Sequence, residues 1–120
     1  MPNQKKEKHT ISVLVNDEPG ALARVIGLFS GRGYNIDSLT VAPVNLTKKY
    51  SRIIIVTSGT KIIIEQIIHS LERLIQVKKV IDLTLGNSTS ERELALVKVT
   101  SKNNKINLLK KTAKKYNFEI

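Results

Sequence analysis

The chemistry open to this 120-residue chain is narrow. It contains no cysteine, which excludes a thiolate nucleophile, a thiolate zinc site and a disulfide, and leaves His9 and His69 as the only imidazoles. Two histidines do not assemble the usual metal-ligand sets. No Ser/His/Asp arrangement and no paired carboxylates accompany them. His9 stands at the entrance of the first strand pattern, and His69 sits beside Ser70 on a helical pattern, the place of a solvated surface histidine. No catalytic residue and no metal ligand is assigned. Binding chemistry remains. Asn16-Asp17-Glu18-Pro19-Gly20 runs straight into a helical pattern. The first N–H groups of such a helix, at Gly20, Ala21 and Leu22, have no intrahelical partner and lie at the positive end of its dipole. Gly20 lets a ligand approach the backbone with no Cβ in the way. Asn35, after Gly33-Tyr34, offers both a donor and an acceptor. Each residue also has a plainer reading: Asp17 as an N-cap, Gly20 as a turn glycine, Asn35 as a turn residue.

The elements that must position these residues follow from periodicity. Ile11, Val13 and Val15 alternate with Thr10, Ser12 and Leu14, the period of a strand with one buried face. Asp17 followed by Pro19 predicts a helix entry, with a capping acid and a proline that loses nothing in the first turn. Leu22, Val25, Ile26 and Phe29 share one helical face, and Gly31-Arg32-Gly33 suits a left-handed C-cap. Residues Asn35 to Val44 and Arg52 to Thr57 read as a hairpin across a polar turn at Asn45 to Tyr50. Ile64, Ile67, Ile68, Leu71, Leu74 and Ile75 trace a second helix of nearly four turns, and Val77 to Thr84 returns as a strand. The order is βαββαβ, the ferredoxin-like α+β arrangement in which a four-stranded antiparallel sheet carries both helices on one face. The other face or an edge is then open to a ligand, a partner or a second copy.

Domain organisation follows from composition. Residues 1–8 form a basic N-terminal tail, 9–84 the ferredoxin-like domain, 85–93 a polar linker, and 94–120 a truncated C-terminal unit. In that last unit Leu94, Leu96, Val97 and Val99 predict a strand, and Ile106, Leu109, Ala113 and Tyr116 share a helical face. One strand and one helix do not close a core, so this partial βα unit is expected to dock elsewhere. The chain carries 20 Lys and Arg against 10 Asp and Glu, a net charge of +10, concentrated at its two ends. Isoleucine, lysine and asparagine make 39 of the 120 residues, a bias that AT-rich coding DNA produces without selection for charge. No apolar run approaches the roughly 18–20 residues of a membrane span, and no apolar stretch follows the N-terminal lysines as in a secretory signal. The expectation is no membrane association and retention in the compartment of synthesis.

The stretch from Ile11 to Pro43, ISVLVNDEPGALARVIGLFSGRGYNIDSLTVAP, resembles the N-terminal ACT domain of the regulatory (small) subunit of acetolactate synthase, also called acetohydroxyacid synthase. The resemblance continues through Ser51-Arg52, Glu65-Gln66-Ile67 and the segment ERELALVKV at residues 91–99, covering about residues 10 to 100. Members usually continue into a complete second ferredoxin-like domain, of which roughly the last third to half is missing here. The resemblance implies a protein without an active site of its own. It binds and activates the catalytic large subunit, which holds thiamine diphosphate and Mg, and confers feedback inhibition by valine or a related branched-chain amino acid. No cofactor is expected on this chain. The resemblance further implies a homodimer through ACT domains, with Asn35 and Ile36 facing an effector bound between two of them. A free amino acid presents a carboxylate beside an ammonium. Asp17 then reads as the ammonium partner, and the N–H groups at Gly20, Ala21 and Leu22 as the carboxylate partners. The location implied is the bacterial cytoplasm, or the plastid stroma for a plastid-encoded chain.

Two other functions fit the same strand order. A free-standing ACT sensor for another enzyme differs only in its partner. An RNA-binding module shares the topology and the basic charge, but such readers stack bases on aromatic rings of the central strands. Here Phe29 falls on a helix, Tyr34 and Tyr50 at loop edges, and Tyr116 and Phe118 in the tail. No specific nucleic-acid partner is expected.

Overall fold

The computed structural model describes residues 5–45, 49–86, 89–102 and 104–120. Its elements run β1 (Glu7–Asn16), α1 (Ala21–Arg32), β2 (Ser38–Asn45), β3 (Tyr50–Gly59), α2 (Lys61–Glu72), β4 (Val77–Asp82) and α3 (Ile106–Tyr116). Two compact units result, Met1–Thr89 and Ser90–Ile120. In the first, the four strands pair antiparallel in the order β2-β3-β1-β4, which is the expected ferredoxin-like topology. Ile11 opposite Ile55 and Val13 opposite Ile53 set one sheet face, and Ala21, Val25 and Phe29 of α1 with Ile64, Ile67 and Leu71 of α2 pack on it. All eleven members of this core, Val15 included, are buried. On α1 the face expected from Leu22, Val25, Ile26 and Phe29 is corrected: Val25 and Phe29 are buried with Ala21, at i, i+4 and i+8, whereas Leu22 and Ile26 are exposed because the packed face is turned by one residue.

The ends of elements depart from the expectations for local reasons. β1 begins at Glu7 and takes in Lys8, both assigned above to the tail, because these residues pair with Gly59 and Ser58 at the far end of β3. α1 begins at Ala21, and its N-cap is Gly20 at φ +84°, not Asp17, which makes no capping bond. Pro19 accordingly precedes the helix and is not in its first turn. The C-terminal expectation holds: Gly33 is left-handed at φ +71°, with its N–H donating to Ser30 O and the Tyr34 N–H to Phe29 O at 2.9 Å. α2 is capped by Thr60, whose hydroxyl accepts from the Ile63 N–H at 3.4 Å, and it stops at Glu72. The chain must turn within residues 73–76 for Val77 to pair with Val15, so Ile75 lies outside the helix and is 90% exposed. The β2–β3 turn expected at Asn45 to Tyr50 lies partly outside the described residues.

In the unit Ser90–Ile120, α3 forms as expected and closes with Asn117 in the left-handed region, where the Phe118 N–H donates to Ala113 O at 2.8 Å. The strand expected at Leu94 to Val99 is absent. Leu94, Leu96, Val97 and Val99 are exposed without secondary structure. A strand exists only where a neighbour takes its N–H and C=O groups, and this stretch pairs with none among the described residues. No helix among the described residues is long and apolar enough to cross a membrane.

Candidate functional site

β1 ends at Asn16, and three backbone bonds hold the approach to α1: Asp17 N–H to Lys49 O at 2.7 Å, Glu18 N–H to Asn16 O at 2.9 Å and Ala21 N–H to Glu18 O at 3.2 Å. The last bond removes Ala21 from the donors expected here, and its side chain is buried in the core. The Gly20 and Leu22 N–H groups keep no protein acceptor among the described residues. With Gly20 as N-cap, the Asp17 carboxylate is not spent on the helix. It is exposed, with no ion pair to it among the described residues. An exposed carboxylate with no ion pair and two N–H groups without a protein acceptor thus fall within six residues at the start of α1, where the helix dipole is positive, together with the half-exposed Leu22 side chain.

The remaining expected residues lie at the other end of α1. Asn35 is exposed and its Nδ2 donates to Asp37 Oδ1 at 2.7 Å, while its backbone oxygen accepts the Thr57 hydroxyl at 2.6 Å. Ile36 is half-buried and packs against the core. Asp37, which carries no assignment in the sequence analysis, also accepts the Ser58 hydroxyl at 2.6 Å. The acid two residues after the asparagine was the only sequence signal for it.

The structure places the expected residues in two groups, called half-sites below, one at each end of α1, and keeps them apart. Twelve helical residues separate them, a rise of about 18 Å. The sheet register agrees, because Ser38 is level with Val56 and Thr10 at one end, whereas Asn16 is level with Tyr50 at the other. A single chain does not close both halves around one small ligand. Between them runs β2, an edge strand with no charged residue, whose Val41 and Val44 are exposed, as are Leu22 and Ile26 of α1. The opposite edge, β4, carries Lys78 and Lys79 and is protected by them against pairing.

The family described as "AHAS small subunit-like ACT domain" matches residues 11–79, the span that contains both half-sites and the whole α/β core between them. This chain belongs to that family. An acetolactate synthase small subunit from Mycobacterium avium is 52% identical over 93 residues, which make up 78% of this chain and 54% of the relative. The acetolactate synthase isozyme 3 small subunit of Escherichia coli is 49% identical over 92 residues, 77% of this chain and 55% of the relative. The crystal structure of the small subunit from Thermotoga maritima superposes with a TM-score of 0.58 at 38% identity, covering 63% of this chain and 47% of that one. The chain thus spans about half the length of the relatives it matches.

This ACT domain holds one further polar cluster, at His9. The ring is buried, with Nδ1 2.6 Å from Asp82 Oδ2 and Nε2 2.8 Å from Glu7 Oε2. A neutral imidazole has one N–H, and two carboxylates accept only, so this geometry calls for the imidazolium, which donates to both. Burial pulls the His9 pKa down, but the hydrogen bonds and charges of Glu7 and Asp82 outweigh it, so the value is raised. The carboxylates face opposite nitrogens and share no common point, and no metal-binding group of three occurs among the described residues. A cavity of about 240 Å³ adjoins the cluster, also lined by Lys61, Glu65 and Ile68. His9 fastens β1 to the end of β4, a role that its place at the strand entrance did not reveal. Because the folded-state pKa is raised, this contribution is complete below about pH 6.5 and is lost as pH rises through the folded value. Thermal midpoints are therefore expected to fall from pH 6 to pH 9. His9→Gln should flatten that slope and remove about 1–3 kcal/mol at pH 6 by leaving the buried Asp82 carboxylate without its charged partner. A slope unchanged in the variant would refute the assignment.

Proposed function

We propose that this chain is a regulatory subunit of acetolactate synthase that binds valine, or a related branched-chain amino acid, between two copies of its ACT domain. It has no catalytic residues of its own. It activates a catalytic large subunit, which holds the thiamine diphosphate and Mg, and passes the effector signal to it. The setting is branched-chain amino-acid biosynthesis in the bacterial cytoplasm or plastid stroma.

The observation that carries this reading is the start of α1, where Asp17 makes no cap bond and the Gly20 and Leu22 N–H groups, three and five residues on, have no acceptor among the described residues. A zwitterion needs an acceptor for its ammonium next to donors for its carboxylate. The second half-site supports the between-copies arrangement. If two copies pair antiparallel along their β2 edges, the start of one β2 lies against the end of the other. Asn35 and Ile36 of one copy then come to the α1 start of its partner. The pairing is isologous, the commonest symmetry of oligomers, and covers the exposed Val41, Leu22 and Ile26.

Calorimetric titration of the full chain with valine, leucine and isoleucine tests the binding, and the expected result is saturable heat with at least one of them. Acetolactate formation by the catalytic subunit, measured with and without this chain and across valine concentrations, tests the regulation. Amino-acid binding without any effect on that enzyme would favour a free-standing sensor for another enzyme, and co-purification would identify its partner. No binding of any of the three would overturn the reading.

A further inference from the structure

The Asn35 side chain is not free to present either end of its amide. Its Nδ2 is 2.7 Å from Asp37 Oδ1, and Asp37 Oδ2 accepts the Ser58 hydroxyl at 2.6 Å. A carboxylate accepts hydrogen bonds and donates none, so only the NH2 end fits against Asp37. The amide oxygen of Asn35 is turned away as the unengaged acceptor. The support is itself rigid. The Asp37 N–H donates to Val56 O at 2.8 Å, and the Thr57 hydroxyl holds the Asn35 backbone oxygen at 2.6 Å, so both residues are tied to the end of β3. Asp37 forms no ion pair among the described residues, although Lys8 stands opposite Ser58 in the register. Its two oxygens rest on neutral donors, and its charge is left uncompensated.

We propose that Asp37 is a positioning residue of the effector site: it points the Asn35 amide oxygen outward, backs it with negative charge, and so makes the β2 half-site select the ammonium group of the ligand. This rests on the amino-acid reading above and gives it a polarity. The ammonium is held from both copies, by Asp17 of one and by the Asn35 oxygen of the other. The carboxylate is held by the α1 N–H groups of a single copy. Asn35 thereby acts chiefly as an acceptor, narrower than its composition allows.

The test is calorimetry on the full chain with two probes, L-valine and its 2-hydroxy analogue, which keeps the carboxylate and the branched side chain and lacks the ammonium. Wild type is expected to prefer valine by about tenfold or more, the scale of one charge-assisted hydrogen bond. Asp37→Asn removes the charge and supplies a group that donates as well as accepts, which frees the Asn35 amide to turn. Valine binding should weaken by about tenfold while binding of the analogue changes by less than about threefold, so the preference collapses. Ser58→Ala, an exposed change that keeps the charge and removes one tether, should weaken valine by a smaller factor and again spare the analogue. Equal losses for both probes in Asp37→Asn and Ser58→Ala would assign Asp37 to folding alone and overturn the proposal, as would an unchanged preference. If Asp37→Asn fails to fold, the same two outcomes for Ser58→Ala decide. Wild type that binds neither probe would overturn the amino-acid reading itself, and this inference with it.

Discussion

Gly20→Asp is expected to abolish valine inhibition, raising the valine concentration needed by about 100-fold or more. The new carboxylate would stand among the N–H groups assigned to the ligand's own carboxylate, and the loss matches about 2.7 kcal/mol from repulsion and one forfeited charge-assisted contact. The backbone adds a separate effect. An acid in the first helical turn is favourable where φ is negative, but Gly20 sits at φ +84°, a region that an L residue enters at a cost of about 1–2 kcal/mol. Gly20→Ala separates the two effects. Beyond its own chain neighbours no atom lies within 4 Å of a Cβ built at Gly20, so alanine brings the strain without a clash or a charge. Both variants should lose similar stability in denaturant, and Gly20→Asp should lose far more valine response. Asn35→Ala, which removes the amide from the other half-site, should weaken valine by about 1–3 kcal/mol and leave stability nearly unchanged, because Asn35 is exposed. Unaltered inhibition in both Gly20→Asp and Asn35→Ala would place the effector elsewhere. Loss of activation together with inhibition would assign these residues to folding or docking.

Val41→Lys is expected to convert the proposed dimer to a monomer and to remove the proposed valine response with it. Val41 lies near the middle of β2, and an isologous antiparallel pairing brings central residues opposite their own copies, so one substitution places two lysines face to face. Its side chain is 41% exposed, and the fold should therefore survive. Light scattering at micromolar concentration reads the mass, and calorimetry reads valine. The wild-type chain should be a dimer or larger, and the variant a monomer with valine binding weakened by at least about tenfold, the scale of a site reduced to one half. A wild type that stays monomeric with valine present would sink the between-copies site. So would a monomeric variant that binds valine as tightly as the wild type.

Most of the fold was legible in the sequence because core positions repeat at the period of their element, although on α1 the buried face runs through Ala21, Val25 and Phe29 and leaves Leu22 and Ile26 exposed. Ile11, Val13 and Val15 alternate, Ile64, Ile67 and Leu71 follow helical spacing, and these residues are the buried core. Gly33 marked its left-handed cap for the same reason: only local sterics are involved. The candidate site was named in the sequence by residue types alone, with Asp17, Gly20, Leu22 and Asn35 standing where a helix or strand begins. Tertiary structure decided how those types are used. Asp17 makes no cap bond because Gly20 takes the cap, while the Asp17 N–H is bound to the Lys49 carbonyl, a partner 32 positions away. Ala21 drops out because its side chain fills the core and its N–H returns to Glu18. Strand pairing lies beyond the reach of local periodicity. Leu94 to Val99 alternates like a strand and forms none without a neighbour, and Glu7 and Lys8 look like a tail yet pair with Gly59 and Ser58. His9 is joined to Asp82 across 73 positions, and Asp37 to Ser58 across 21, contacts that exist only once β1 lies beside β4 and the approach to β2 beside β3. Periodicity reports which face of an element is buried, whereas partners distant in the chain are set by how the strands are ordered.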